Sequence, residues 1–219
     1  MTKIIHHPSD ETLLRYVSGG YDTGYNLVLA THLSVCAKCQ KTVELQQLIG
    51  GHVLEEEKPA NMNISASDLL RKADMPVVET PKPLGSTYSK KYGFEVPAIL
   101  NSYVDGDFDG LKWQSLSPSI KQAVLTVDGK ASARLLWMKP GHAVPAHGHS
   151  GEELTMILSG GYYDGDEAYT KGDLHCADHE SPHMPTAMED QPCIVLAATD
   201  SPLVFRGIIP RLLQPFFKI

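Results

Sequence analysis

Two short runs of this 219-residue chain carry side chains that can hold a metal ion. The first is His32-Leu-Ser-Val-Cys36-Ala-Lys-Cys39, whose donors are separated by four and then three residues. Both spacings bring side chains together on a helix surface or at a helix–turn–helix junction. Two thiolates and an imidazole are three of the four ligands of a tetrahedral structural zinc. The fourth must come from elsewhere. His6 and His7 stand just before the first expected helix and are the natural donors; His52, more than one helix away, is a poorer one. The second run, Gly141 to Gly160, places His147, His149 and Glu153 just before the apolar segment Leu154 to Leu158. Residues two apart on a strand face the same side, so the two imidazoles can enter one cavity. Glu153 keeps that face where the extended geometry persists. Two imidazoles and a carboxylate form a partial shell for a divalent transition metal.

The second run, read as glycine, five residues, His-x-His, three residues, Glu, six residues, glycine, is similar to the first motif of the cupins and fits it without an insertion. The resemblance implies a small antiparallel β-barrel and a fourth ligand, a histidine from a later strand. His175, His179 and His183 are the candidates. Gly172-Asp173-Leu174 followed by His183-Met184-Pro185 resembles a divergent second cupin motif, which favours His183 with His175 as the fallback. One fold hosts many functions, so this likeness speaks for a metal-binding barrel and not for a reaction.

The elements that must position these donors fall into two groups, an α+β chain of two domains. Residues 8–75 read as helical. Ser9 caps a first helix with Asp10 and Glu11 in its first turn, and Gly19-Gly20 stops it. A second helix is expected from about Thr23 to Leu33, with Tyr25, Val28, Leu29 and His32 on one face. A third should run from Cys36 or Cys39 through Ile49 and end at Gly50-Gly51. A short fourth spans Ser67 to Ala73 with Ser67 as its cap. The helical domain is thus 1–75. Pro76, Pro81, Pro83 and Gly85 mark 76–93 as an extended linker. From 94 to 219 the pattern turns to short strands with Gly/Asp turns, as in Val124 to Met138 around Asp128-Gly129 and in Tyr162-Tyr163 before Asp164-Gly165. One of Tyr162 and Tyr163 should face the cavity. Cys193 to Ala198 reads as a buried strand, and Leu203 to Ile209 as the closing one. Eight or more such strands argue for an antiparallel barrel or jelly roll. The apolar tail, Arg211 to Ile219, packs on the barrel or joins two chains as a homodimer.

Composition narrows the function classes. The formal net charge is −7 and there is no basic stripe, which disfavours direct nucleic-acid binding and suits a basic partner. No apolar run approaches the roughly 18 residues of a membrane span, and the first residues lack the core of an export signal. Two of the four cysteines form the Cys-x-x-Cys beside a histidine, which points to metal in a reducing cytoplasm rather than to disulfides.

An N-terminal histidine followed by HxxxCxxC in a small helical domain resembles the zinc-binding anti-sigma factors. Joined to a cupin domain, it resembles one subgroup, the ChrR-type anti-sigma factors. The resemblance implies that the helical domain sequesters an extracytoplasmic-function (group IV) sigma factor. It also implies that the cupin domain receives an oxidative, singlet-oxygen-type stress signal, and that the second histidine of the His-His pair, His7, completes the zinc site, with His6 as the alternative. The expected ligands are then His7, His32, Cys36 and Cys39 for zinc. In the cupin domain they are His147, His149, Glu153 and His183, for zinc or another divalent transition metal. Val28, Leu29, Leu33, Val43 and Leu48 are apolar positions that serve either as core or as the partner-binding face. The alternative is a metal-dependent cupin enzyme of dioxygenase or isomerase type with an accessory zinc domain, for which Asp173, Glu167 and Tyr163 are candidate general bases.

Overall fold

The computed structural model describes residues 3–58, 65–73, 85–125, 127–177 and 182–205. The chain opens with α1 (Asp10–Val17), α2 (Thr23–Leu33), α3 (Ala37–Glu56) and α4 (Ala66–Ala73). The Ser9 hydroxyl caps α1 by accepting from the Thr12 N–H at 3.0 Å, and Gly19 ends it at a φ of 72°. Two expectations need correction. Helix α3 does not stop at Gly50-Gly51 but continues to Glu56. Each glycine costs about 1 kcal/mol relative to alanine, which weakens a helix without ending it. The cap of α4 is Ser65, whose hydroxyl accepts from the Asp68 N–H, and not Ser67.

The β-domain follows: β1 (Thr87–Ser89), β2 (Phe94–Val96), a short α5 (Ala98–Asn101), β3 (Gln114–Ser117), β4 (Ile120–Leu125) and β5 (Ser132–Met138). Then come β6 (His147–His149), β7 (Glu153–Ser159), β8 (Gly161–Asp164), β9 (Glu167–Thr170), β10 (Leu174–Ala177), β11 (Thr186–Ala187), β12 (Cys193–Thr199) and β13 (Leu203–Phe205). Six of these form one antiparallel sheet in the order β10-β7-β12-β5-β4-β3. Three more, β11-β8-β9, form a second sheet, and β13-β6 and β1-β2 form ribbons. The hairpin β1-β2 lies inside the stretch 76–93 expected to be a linker and just beyond it, so the strand pattern begins at Thr87. Pro76, Pro81, Pro83, His179 and the tail Arg211 to Ile219 fall outside the described residues, as does the stretch after Phe205 in the expected closing strand.

The helices do not stand apart from the strands. In α2, Gly24, Tyr25, Leu27, Val28, Leu29, Thr31 and His32 are all buried, which is more than the single face expected from spacing. The helix lies between α3 on one side and β5, β7 and β12 on the other. Tyr25, Leu27, Val28 and Leu29 share one apolar core with Leu135, Leu154 and Leu196 of the large sheet. Each fully buried aliphatic side chain contributes about 1.5–3 kcal/mol. The helix also makes polar contacts with the β-domain. The Tyr21 hydroxyl donates to Glu152 Oε1 at 2.7 Å, and Tyr25 donates to the Glu152 carbonyl at 2.7 Å. The Asp22 carboxylate accepts from the Lys130 and Ala131 N–H groups in the turn between β4 and β5.

Gly24 shows how close this packing is. A methyl group there would come within 2.8 Å of the Ala131 carbonyl oxygen. Alanine favours a helix by about 1 kcal/mol over glycine, so Gly24→Ala in an open helix would stabilise. Here the overpacking wins, at about 1–3 kcal/mol. We expect Gly24→Ala to lower the thermal midpoint; an unchanged or raised midpoint would show that α2 is not seated on the turn before β5.

Candidate metal centres

The helical centre is built at the junction of three elements. His32 sits in the last turn of α2, Cys36 is the N-cap of α3, Cys39 lies in its first turn, and His7 comes from the arm before α1. The Cys36 N–H donates to the His32 carbonyl at 3.0 Å, closing the turn that brings both cysteines under the imidazole. His7 Nδ1 stands 3.4 Å from Cys36 Sγ and 3.5 Å from Cys39 Sγ, and His32 Nε2 stands 3.3 Å from Cys39 Sγ. All four donor atoms lie within 4.8 Å of one another. Ligands at ordinary zinc–sulfur and zinc–nitrogen distances in a tetrahedron are about 3.5 Å apart, so the donor set fits a zinc ion in number, type and spacing.

Protonation agrees with this use. His32 Nδ1 lies 2.9 Å from the Gly172 carbonyl, which can only accept, so the proton is on Nδ1 and the Nε2 lone pair faces Cys39. Burial lowers the His32 pKa to about 4 and lowers that of His7 as well. Burial, with Cys36 beside it, pushes the Cys39 thiol up to about 12. The imidazoles are therefore neutral, and the Cys39 thiol needs a cation beside it to ionise. His6 is turned away. Its Nε2 donates to the Ala168 carbonyl at 3.1 Å and its ring packs on Tyr169. His52 is exposed on α3 beside Glu56.

The second centre lies in the β-domain. An isolated bridge pairs His147 with His183, each N–H donating to the other's carbonyl, so their side chains leave the same face. His149, two residues on, shares it. His183 Nε2 lies 2.8 Å from His149 Nε2 and 3.0 Å from His147 Nε2. Two of the rings are held from behind. His147 Nδ1 donates to the Pro145 carbonyl at 2.8 Å, and His183 Nδ1 to Asp164 Oδ2 at 2.8 Å. His149 Nδ1 faces Glu153 Oε2 at 3.5 Å, too poorly aligned for a hydrogen bond. Three rings converging through Nε2, two of them fixed by hydrogen bonds at Nδ1, are an arrangement that suits a divalent transition metal. Glu153 was expected on the same footing as the histidines. In this structure it lies behind His149, with Oε1 accepting from the Thr155 hydroxyl at 2.9 Å.

His175, the fallback, sits at the edge of the cluster. Its Nδ1 meets the Tyr162 hydroxyl at 2.8 Å and its Nε2 is 3.8 Å from Asp164 Oδ2. Tyr162 is the tyrosine that faces the cavity; Tyr163 is exposed. Asp164 was missed as anything but a turn residue. It stands two residues after Tyr162 on β8 and so shares its face, a signal present in the strand period. The three candidate general bases are all misplaced for catalysis at the histidines. Asp173 is buried with both oxygens occupied by N–H and O–H donors, while Glu167 and Tyr163 are exposed. Cys193 is buried on β12, where its thiol is pushed far up, and Cys176 is exposed on β10.

Residues 103–201 match the family described as the ChrR cupin-like domain. The chain is 38% identical over 217 residues, 99% of its own length and 99% of the relative's, to the anti-sigma-E factor ChrR of Cereibacter sphaeroides. It also matches the chain in a crystal structure of Rhodobacter sphaeroides SigE in complex with the anti-sigma ChrR. The TM-score is 0.74 at 35% identity, covering 90% of this chain and 100% of that one. Among the described residues no helix is long and apolar enough to cross a membrane.

The histidines set a pH dependence. In the metal-free chain His32, His147 and His149 titrate near about 4 instead of 6.5, burial being the first cause for each. Between those values the unfolded chain binds more protons than the folded one, so stability present above 6.5 is lost as pH falls toward 4. Urea titrations of metal-stripped protein should give a midpoint that falls steadily across this window and is flat just above it. A midpoint that rises on acidification would contradict the buried neutral imidazoles.

Proposed function

The chain belongs to the ChrR family of anti-sigma factors, and from that premise we propose that it sequesters an extracytoplasmic-function sigma factor and releases it on an oxidative signal of the singlet-oxygen type. The division of labour follows the sequence, with a helical anti-sigma unit in 1–75 and a cupin-like signal-receiving unit in 94–219. The site of action is the cytoplasm. The observation that carries the reading is the convergence of His7, His32, Cys36 and Cys39, which cross-links three elements of a small helical unit next to an exposed apolar row. Zinc is the ion this donor set suits, and it supplies the cross-link that a core of this size lacks. In the cupin-like unit His147, His149 and His183, with Glu153 beside them, would hold zinc or another divalent transition metal.

Partner binding divides the apolar residues named from sequence into two sets. Val28 and Leu29 are fully buried against the large sheet, and Val43 packs with Leu13, Cys36 and Cys39. Leu33 packs at the edge of that cluster. Val28 and Leu29 reach a partner only if α2 separates from the sheet, and Val43 only if α1 and α3 part. Leu48 is 72% exposed, with Leu45, Ile49 and Val53 near it on the outer part of α3. That row is an amphipathic-helix surface open to a sigma factor as the chain stands. The acidic charge of the chain favours a basic partner. The enzyme alternative has no support in the family, which is regulatory.

Three measurements test this reading. Co-purification with a cellular sigma factor, and loss of that factor's transcription on adding the chain, are expected. Leu48→Glu should weaken the complex more than tenfold, as loss of a hot-spot residue does. It should leave thermal stability within about 0.5 kcal/mol, as surface changes do. Equal binding by Leu48→Glu would remove α3 from the interface. Stripping zinc with a chelator should abolish the complex and restore transcription; a complex that survives complete zinc removal would leave the cross-link without a role.

A further inference from the structure

Two of the four donors of the helical centre, His7 and His32, are oriented through contacts with the β-domain. The turn between β9 and β10 does this. Its Gly172 carbonyl accepts from His32 Nδ1 at 2.9 Å. Its Asp173 carboxylate is fully buried and makes four contacts. Oδ1 accepts from the Ile5 N–H at 2.7 Å and the His6 N–H at 3.0 Å, while Oδ2 accepts from the Thr170 N–H at 2.8 Å and its hydroxyl at 3.1 Å. The Leu174 N–H then donates to the His6 carbonyl at 3.1 Å. Gly172 is in the left-handed region at a φ of 94°, and the Ile4 side chain fills the space where a Cβ would project, at 2.8 Å. The arm is thus bonded to the turn at three backbone groups in the two residues before His7.

These contacts do what outer-shell groups do at a metal site. The carbonyl sets the tautomer and ring plane of His32, and the carboxylate fixes the backbone from which His7 projects. A buried carboxylate with all its acceptors used is costly to disturb, because the charge would lose its donors without gaining water. The same turn runs straight into β10, where His175 meets Tyr162 and Asp164 behind the second cluster.

We propose that Asp173 and the Gly172 carbonyl are positioning groups for the helical zinc centre, so that the grip of this chain on that ion is set in part by its β-domain. The proposal rests on the zinc reading of His7, His32, Cys36 and Cys39. A perturbation of β10 reaches both His7 and His32 through one turn. By linkage, an ion in the helical centre in turn steadies that turn.

The test uses the full chain carrying Asp173→Ala or Asp173→Asn. A third variant, Ile5→Pro, deletes one donor from the arm and leaves the β-domain untouched. Asp109→Ala is the control, since that carboxylate caps the Lys90 and Lys91 N–H groups of the β-domain far from the arm. Zinc affinity at the helical centre is read by chelator competition. Cobalt substitution reads its geometry through thiolate absorption bands, which report on Cys36 and Cys39 because the second cluster has no thiolate. Asp173→Ala should weaken zinc binding by about 10–100-fold and shift the cobalt bands. Asp173→Asn and Ile5→Pro should do so less, and Asp109→Ala not at all. Should Asp173→Ala fail to fold, the other two variants decide. Folded variants with unchanged zinc affinity and unchanged cobalt bands overturn the proposal, as does an equal loss in Asp109→Ala. A wild-type chain that takes up no zinc at Cys36 and Cys39 overturns the zinc reading itself, a result distinct from either.

Discussion

Helix α2 keeps only a narrow half-buried stripe, formed by Thr23, Asn26, Ala30 and Leu33. It is covered by α3 on one side and by the six-stranded sheet on the other, and that double burial governs the rest of the molecule. It places Val28 and Leu29 in the core of the β-domain, seats Gly24 against the turn before β5, and delivers His32 to the Gly172 carbonyl. A helix whose apolar residues spread well beyond one face is stable only when packed on more than one side. The residues before α1 and the turn before β10 supply the remaining enclosure around its C-terminal end.

One consequence concerns metal chemistry. His32 and His147 are held by a carbonyl, and His183 by a carboxylate, at the ring nitrogen away from the cluster, so these imidazoles point their lone pairs inward before any ion arrives. That orientation lowers the ordering cost of binding. The two centres differ in softness. Thiolates with histidines suit a closed structural zinc, whereas an all-imidazole group with carboxylates behind it accepts several ions. The proposed division between holding a partner and receiving a signal would use this difference, with the thiolate set as the firm cross-link and the imidazole set as the more permissive centre.

A second consequence concerns regulation. Sites built from distant parts of a chain communicate only when the elements that carry them meet. Here the meeting is specific, with Glu152 held by Arg15, Tyr21 and Tyr25 at one end of the contact and Asp173 held by the arm at the other. Packed contacts with discrete donors and acceptors shift between arrangements rather than bending gradually, which suits them to couple two sites.

Local chemistry in the sequence determined the ligand types and most of the elements: the HxxxCxxC spacing, the HxH pair, the Ser9 cap, the hairpin through Gly129 and the buried strand at Cys193 to Ala198. These depend on neighbours within a turn or a strand, so spacing and composition suffice to read them. What only the tertiary structure decided are matters of which distant groups meet. His7 reaches the thiols where His6 packs on Tyr169, Glu153 lies behind His149, Asp164 holds His183, and α2 is buried on more than one face. Each of these joins residues far apart in the chain or turns a side chain among rotamers of similar local energy. The choice among them comes from burial and hydrogen-bond satisfaction across the whole fold, a constraint that no short stretch of sequence contains.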